Sequence, residues 1–139
     1  MGNHPPRVDA LHHVALPVVD LVRARRFYSE VLGLEEIPRP EAFDFPGAWF
    51  RLGDGQLHLI ERSGGTMREG KALDSRDGHF AIRIADYDAM LSHLRSLGFR
   101  EDAALDDPMR IKANRKPNAG FPQIFLMDPD RHVIEINSS

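Results

Sequence analysis

The sequence predicts an α+β fold built from two βαβββ modules, and three observations support this prediction. Residues 13–20 recur 66 residues later as residues 79–86, with His, Ala and Asp at matching positions and apolar residues between them. An amphipathic stretch that ends in Leu-Gly follows each copy, at Gly33 and at Gly98. Short alternating segments, which are typical of strands, then complete each copy. Because self-similarity at a fixed period marks one structural unit used twice, we expect the two copies to fold alike.

Each copy begins with a strand and continues into a helix. Residues 11–18 and 78–84 alternate and are rich in apolar and β-branched side chains, so they are predicted strands. Asp20 and Asp86 stand where an N-cap residue accepts hydrogen bonds from the first helical turn. Each helix carries an apolar stripe, formed by Leu21, Ala24, Phe27, Tyr28 and Val31 in the first copy and by Tyr87, Met90, Leu91, Leu94 and Leu97 in the second. The glycine that follows each stripe supplies the left-handed residue that closes a helix.

Three shorter strands follow in each copy. Their predicted bounds are 35–38, 47–52 and 56–61 in the first copy, and 99–102, 122–127 and 132–137 in the second. The segment 103–121 is long for a connection, and loops of that length are often functional. We therefore expect a disordered tail at residues 1–10 and a single domain at residues 11–137, made of modules 11–61 and 78–137.

Composition excludes several classes of protein. The 139 residues include 18 basic and 21 acidic side chains, for a net charge of −3, so no basic surface is available to attract nucleic acid. The absence of cysteine excludes disulfides, thiolate metal sites and a cysteine nucleophile. No apolar run is long enough to span a bilayer, and the amino terminus has no apolar signal region. We expect a cytoplasmic protein that binds neither nucleic acid nor membrane.

Strand alternation places two polar side chains of each module, which are candidate metal ligands, on the face opposite the helices. Apolar neighbours face the helices, so the candidates face away: His13 and His58 in the first module, His79 and Glu135 in the second. A single strand histidine is more often a hydrogen-bonded or surface residue than a ligand. Here, however, the repeat puts all four at matched positions. Imidazole and carboxylate donors suit one divalent ion per chain, of Zn, Ni, Mn, Co or Fe.

Four stretches together resemble the vicinal oxygen chelate superfamily, which includes glyoxalases, bleomycin resistance proteins and extradiol dioxygenases. They are LHHVALPVVDL at 11–21, RFYSEVLGL at 26–34, GHFAI at 78–82 and DPDRHVIEI at 128–136. The resemblance covers about residues 11–137. It implies paired modules in a cup-shaped mixed sheet with helices on its outer face, a homodimer, and a divalent metal in the cup.

On the superfamily pattern, His13, His58, His79 and Glu135 fall at the four metal-ligand positions. Two departures stand out. Glyoxalase I usually has a carboxylate where His58 stands, and the turn that usually reads Asp-Pro-Asp-Gly here ends in Arg131.

The leading hypothesis for function is a metal-dependent lyase or isomerase that chelates the adjacent oxygens of a small substrate. Glu135 is the candidate base if it can loosen from the metal; otherwise hydroxide on the metal must serve. An Fe(II) extradiol dioxygenase is an alternative, because His13, His79 and Glu135 would form a facial triad and leave His58 free. A fosfomycin-type or bleomycin-type resistance protein, or a ligand-binding dimer without activity, is a further alternative.

Candidate substrate contacts are less specific in the sequence. Trp49 and Phe125 could line a pocket, although aromatic residues on short strands are more often core or interface. Lys112, Arg115 and Lys116 lie in the long loop, where they could grip a phosphate or a carboxylate or form an ordinary solvated charge run. Arg115 is the predicted contact among the three.

Overall fold

The computed structural model describes residues 2–139 and contains two modules of four strands each. The first comprises β1 (His13–Val18), α1 (Leu21–Arg26), β2 (Glu36–Ile37), β3 (Gly47–Leu52) and β4 (Gly55–Glu61). The second comprises β5 (His79–Arg83), α2 (Tyr87–Ser96), β6 (Lys112–Asn114), β7 (Gln123–Met127) and β8 (Val133–Asn137). Residues 2–12 contain no helix or strand, and Met1 of the predicted tail lies outside the described residues.

The two sheets share one topology, which confirms the predicted α+β fold. The strand orders are β1-β4-β3-β2 and β5-β8-β7-β6. In each sheet the first strand runs parallel to its neighbour, and the remaining pairs are antiparallel. The first strand of each module is therefore an edge strand. No helix in residues 2–139 is long and apolar enough to cross a membrane.

One predicted strand is wrong. Residues 99–102 contribute only an isolated bridge between Arg100 and Arg110, and the sixth strand instead lies at Lys112–Asn114, inside the predicted long loop. The backbone amide of Arg100 donates a hydrogen bond to the carbonyl of Met109, and the amide of Ile111 donates one to the carbonyl of Arg100. These two bonds make residues 101–108 a closed loop. The strand that forms is short and polar, and pairing with β7 holds it in place.

The predicted helix starts are confirmed. The Asp20 carboxylate accepts a hydrogen bond from the amide of Arg23, and that of Asp86 accepts one from the amide of Ala89. The first helix is α-helical for six residues only and continues as a π-helical turn at Phe27–Val31. Gly33 closes it at φ +68°.

The larger of two hydrophobic clusters forms the core that joins the two modules. It contains the helix-facing residues of both sheets, including Leu57, Leu59, Ile134 and Ile136, all fully buried. The strand alternation predicted from the sequence is therefore confirmed, and His58 and Glu135 lie on the opposite faces from these residues.

Polar side chains of the second module bind backbone groups and a buried tyrosine of the first. Asp128 accepts a hydrogen bond from the Tyr28 hydroxyl at 2.7 Å, and Asp130 accepts one from the amide of Val19 at 3.0 Å. His132, to which the sequence assigned no role, donates from Nε2 to the carbonyl of Pro17 at 2.7 Å. Burial is the main cause that raises the pKa of both Tyr28 and Asp128. These bonds hold the modules together through their core sides.

Arg131 holds a strained backbone conformation that a glycine would adopt freely. Its φ is +66°, the one positive value at a non-glycine position in residues 2–139. Its guanidinium compensates by donating to the carbonyls of Lys71 and Asp106, at 2.9 Å and 3.1 Å.

We expect Arg131→Gly to be more stable than Arg131→Ala by about 1 kcal/mol in the free energy of unfolding. Both variants lose the two side-chain hydrogen bonds, but only alanine keeps a Cβ in the left-handed region. Urea unfolding of the two variants measures the difference. The same pair of substitutions at Arg62, an exposed loop residue without positive φ, should favour alanine. Equal free energies of unfolding for Arg131→Ala and Arg131→Gly would contradict backbone strain at this position.

Candidate metal centre

The four predicted ligands occupy equivalent positions in the two modules. His13 begins β1, and two residues further on Ala15 pairs with His58 of β4. His79 begins β5, and Ala81 pairs in the same way with Glu135 of β8. Each module thus carries one pair of candidate metal ligands, and the two pairs occupy the same register positions in their sheets.

The first pair consists of stacked imidazoles. The rings of His13 and His58 are 4.1 Å apart at 17°, and the indole of Trp49 stacks on the other face of His58 at 4.0 Å and 5°. The Nε2 atom of His58 is 2.7 Å from Oε1 of Gln56. Burial, followed by the charges of His13, His12 and Arg39, lowers the pKa of His58. The neutral form that results is the form that binds metals.

The second pair consists of an imidazole and a buried carboxylate. The Nε2 atom of His79 lies 3.5 Å from Oε1 of Glu135, which is 7% exposed. The Nδ1 atom of His79 is 2.7 Å from the carbonyl oxygen of Asp77. The amide of Asn137 donates to Oε2 of Glu135 at 2.6 Å. Phe125 packs edge-on against His79 at 5.5 Å.

The chemistry of this second pair fits a cation. A carbonyl oxygen only accepts hydrogen bonds, so Nδ1 of His79 carries a hydrogen, and Nε2 is the ring nitrogen that can bind a cation. Nε2 lies 3.5 Å from a carboxylate oxygen, and either a proton or a metal ion between the two atoms would satisfy both. A histidine that donates its other nitrogen to a carbonyl is also the usual arrangement of a metal ligand.

The two pairs do not meet within one chain. Among residues 2–139, no group of three or more His, Cys, Asp and Glu side chains lies close enough to hold a metal ion. The chain therefore presents two half-sites: one formed by His13 and His58, and one formed by His79 and Glu135.

A cavity of about 400 Å³ adjoins the second half-site. Lys112, Phe125 and Glu135 follow one another across β6, β7 and β8 at paired positions, so their side chains share this face. Of the three basic loop residues, Lys112 lines the cavity. Arg115 instead pairs with Asp88 of α2 and lies over the ring of Tyr87.

A sequence model of the glyoxalase/bleomycin resistance protein/dioxygenase superfamily matches residues 10–136. The chain belongs to this superfamily. Members of the superfamily typically bind a divalent metal, act on small molecules and commonly form dimers.

Curated relatives within the superfamily have several activities. The chain is 32% identical to 2-epi-5-epi-valiolone epimerase of an Actinomyces species, over 92% of this chain and 78% of the relative. It is 29% identical to mouse mitochondrial methylmalonyl-CoA epimerase, over 89% of this chain and 68% of the relative. It is 25% identical to the fosfomycin resistance protein FosX of Listeria innocua, over 94% and 90%.

Solved structures of the superfamily share the fold. A glyoxalase family protein from Bacillus anthracis superposes with a TM-score of 0.75 at 20% identity, covering 98% of this chain and 99% of that chain. Lactoylglutathione lyase from Agrobacterium tumefaciens superposes with a TM-score of 0.65 at 22% identity, covering 97% and 96%.

Sequence reasoning missed the residues that support the candidate ligands. Gln56 and Asn137 each lie two positions from a candidate ligand, so strand alternation puts them on the same face and could have identified them. The carbonyl of Asp77 carries no side-chain signal. His93 of α2 donates from Nε2 to the carbonyl of Val31 at 2.9 Å, a contact that no sequence pattern indicates.

Proposed function

We propose that this protein is a divalent-metal-dependent isomerase or lyase that moves a proton on a small anionic substrate with adjacent oxygens. One observation carries the metal: Nε2 of His79 and Oε1 of Glu135 lie 3.5 Å apart in a half-buried pocket, as two ligands of one ion would. When bound, the metal would polarise the substrate oxygens and stabilise the negative charge that develops as the proton leaves.

We further propose that two chains build each metal site. The His13 and His58 pair would come from one protomer and the His79 and Glu135 pair from its partner. This arrangement follows from the fact that each chain holds two matched half-sites that do not converge. β1 and β5, which carry the first ligand of each pair, are edge strands that a second chain can approach. A symmetric dimer would complete two equivalent sites.

Three side chains have proposed roles toward the substrate. Lys112 lines the cavity that Glu135 also lines, and its ammonium, 3.4 Å from Oγ of Ser75, would bind an anionic group. The ring of Phe125 separates Lys112 from Glu135 and would contact the apolar part of the substrate. Glu135 is the proposed proton acceptor: Oε1, once it has left the metal, would take the proton, because Oε2 already accepts a hydrogen bond from Asn137.

Proton transfer is favoured over the alternatives by the relatives. Two kinds of epimerase are among them, at 32% and 29% identity, and a carbon next to a carbonyl group can be epimerised by removing its proton and returning it on the other face. We propose an epimerase-type reaction for this chain. An enzyme acting on fosfomycin is the second candidate, and the cationic Lys112 beside the half-site favours it, because fosfomycin carries a phosphonate.

Exchange of substrate hydrogen with deuterated water tests the proposal. Protein loaded with Zn²⁺, Ni²⁺, Mn²⁺, Co²⁺ or Fe²⁺ is incubated with methylmalonyl-CoA, with the glutathione hemithioacetal of methylglyoxal, and with fosfomycin. We expect metal-dependent incorporation of deuterium into one of the first two. Loss of fosfomycin without exchange would favour the second candidate. Oxygen uptake by the Fe²⁺ form on catechols would contradict both proposals.

Lys112→Met should raise KM for the anionic substrate by roughly 10- to 100-fold, which is the effect of losing a charged hydrogen bond. Metal content should not change, because Lys112 is not a proposed ligand. Steady-state kinetics and elemental analysis measure the two quantities. Lys116→Met is the matched control: it removes the same charge four residues further along the chain, at a residue that does not line the cavity. Equal KM values for the two variants would remove Lys112 from the substrate site.

A further inference from the structure

Two residues that are not proposed metal ligands form a chain of hydrogen bonds to Glu135. Asn137 lies two positions further along β8, on the same face, and is 7% exposed. Its amide Nδ2 donates to Oε2 of Glu135 at 2.6 Å. Arg83, at the end of β5, pairs with Asn137 in the sheet register, and its Nε donates to Oδ1 of Asn137.

Arg83 determines which way the Asn137 amide points. The two ends of an asparagine amide have nearly the same shape, so only hydrogen-bonding partners can fix its orientation. A guanidinium donates and never accepts, so Oδ1 must face Arg83. The Nδ2 group is then obliged to face Glu135, where it meets an acceptor. The ring of Phe121 lies 5.5 Å from the Arg83 guanidinium and helps to hold it over the strand.

The geometry points to a relay from Arg83 through Asn137 to Glu135. We infer that Arg83 and Asn137 are positioning residues that keep Oε2 of Glu135 occupied and leave Oε1 as the only oxygen directed toward His79. Glu135 would therefore offer a single carboxylate oxygen, Oε1, to a metal ion. This inference rests on the proposed function, since it concerns the same half-site.

The relay also explains how a carboxylate can be buried here. Glu135 has no lysine or arginine as a direct salt-bridge partner among the described residues. A buried polar group needs hydrogen-bonding partners. The Asn137 amide supplies one charge-assisted bond, and the positive charge of Arg83 polarises that amide from its far side.

Removing either residue should weaken metal binding without unfolding the protein. Asn137→Ala should weaken the affinity for Co²⁺ by about 10- to 100-fold, as for other groups that orient a metal ligand. Arg83→Met should weaken it by roughly tenfold, because the amide loses its fixed orientation. The double variant should bind no more weakly than Asn137→Ala alone, since both changes act through one hydrogen bond.

Arg95→Met is the matched control. Arg95 lies on α2, and its guanidinium donates to Glu101 at the surface, so the variant loses a comparable hydrogen bond away from the half-site. Urea unfolding of the metal-free proteins should give similar midpoints for Arg83→Met and Arg95→Met. Only Arg83→Met should alter the affinity for Co²⁺ and the visible spectrum of the bound ion.

Nuclear magnetic resonance of the metal-free protein tests the relay independently of the metal. In the wild type, the two Nδ2 protons of Asn137 should be well separated in chemical shift and slow to exchange with water. In Arg83→Met they should approach the values of a free amide. Unchanged Asn137 signals, or wild-type affinity for Co²⁺ in both variants, would overturn the relay. A wild-type protein with this amide signature that bound no Co²⁺ would instead overturn the proposed function, and with it the role of the relay in metal binding.

Discussion

His79→Ala should reduce the metal content from about one ion per chain to almost none, with a loss of affinity of at least about 100-fold. The variant removes the ring nitrogen that lies 3.5 Å from Oε1 of Glu135. It leaves three of the four proposed ligands, and the site binds the ion more weakly because it has lost one imidazole. Elemental analysis and Zn²⁺ titration measure the loss.

Thermal unfolding supplies a second measurement of the same effect. A metal in 100-fold excess over its Kd adds about 2.7 kcal/mol to the free energy of unfolding, so the wild type should show a rise in Tm with added Zn²⁺ that His79→Ala lacks. His4→Ala, in the exposed segment before β1, is the control and should behave as the wild type. Stoichiometric metal in His79→Ala would contradict the assignment.

Mixing two inactive variants should restore metal binding, if each site is built from two chains. One variant lacks the first half-site through His13→Ala and His58→Ala, and the other lacks the second through His79→Ala and Glu135→Ala. Neither homodimer has a complete site. In the heterodimer, one site contains all four ligands and the other contains none. Purified heterodimer should therefore hold about half of the wild-type metal.

The experiment needs the two variants to carry different affinity tags and to be refolded together. Each variant refolded alone is the control, and it should hold almost no metal. A heterodimer that also holds none would contradict the two-chain site. A monomer in sedimentation experiments at micromolar concentration would contradict the two-chain site directly.

Much of the fold was accessible from the sequence, because the repeat is visible in the residues themselves. The match between residues 13–20 and 79–86 predicted two modules with one topology, and both sheets have it. Strand alternation correctly predicted that His58 and Glu135 face away from the core. Local patterns suffice here because the side-chain period of a strand is fixed by its backbone geometry.

Elements that depend on long-range pairing were less accessible. β6 is three residues long and polar, and only its pairing with β7 makes it a strand. His93 lies off the apolar stripe of its helix, and only the packing of α2 brings it to the carbonyl of Val31. No local pattern encodes such contacts, because their partners lie far away along the chain.

By itself, the sequence determined the two-module α+β fold, the superfamily resemblance and four donors at matched strand positions. Only the tertiary structure decided how those donors are grouped. The modules pack through their helix-facing sides into one core, and this packing leaves His13 with His58 and His79 with Glu135 as separate pairs. It also placed Asn137 and Arg83 behind Glu135. The reason is physical: strand period sets the face on which a side chain lies, whereas the packing of one module on the other sets which faces can meet.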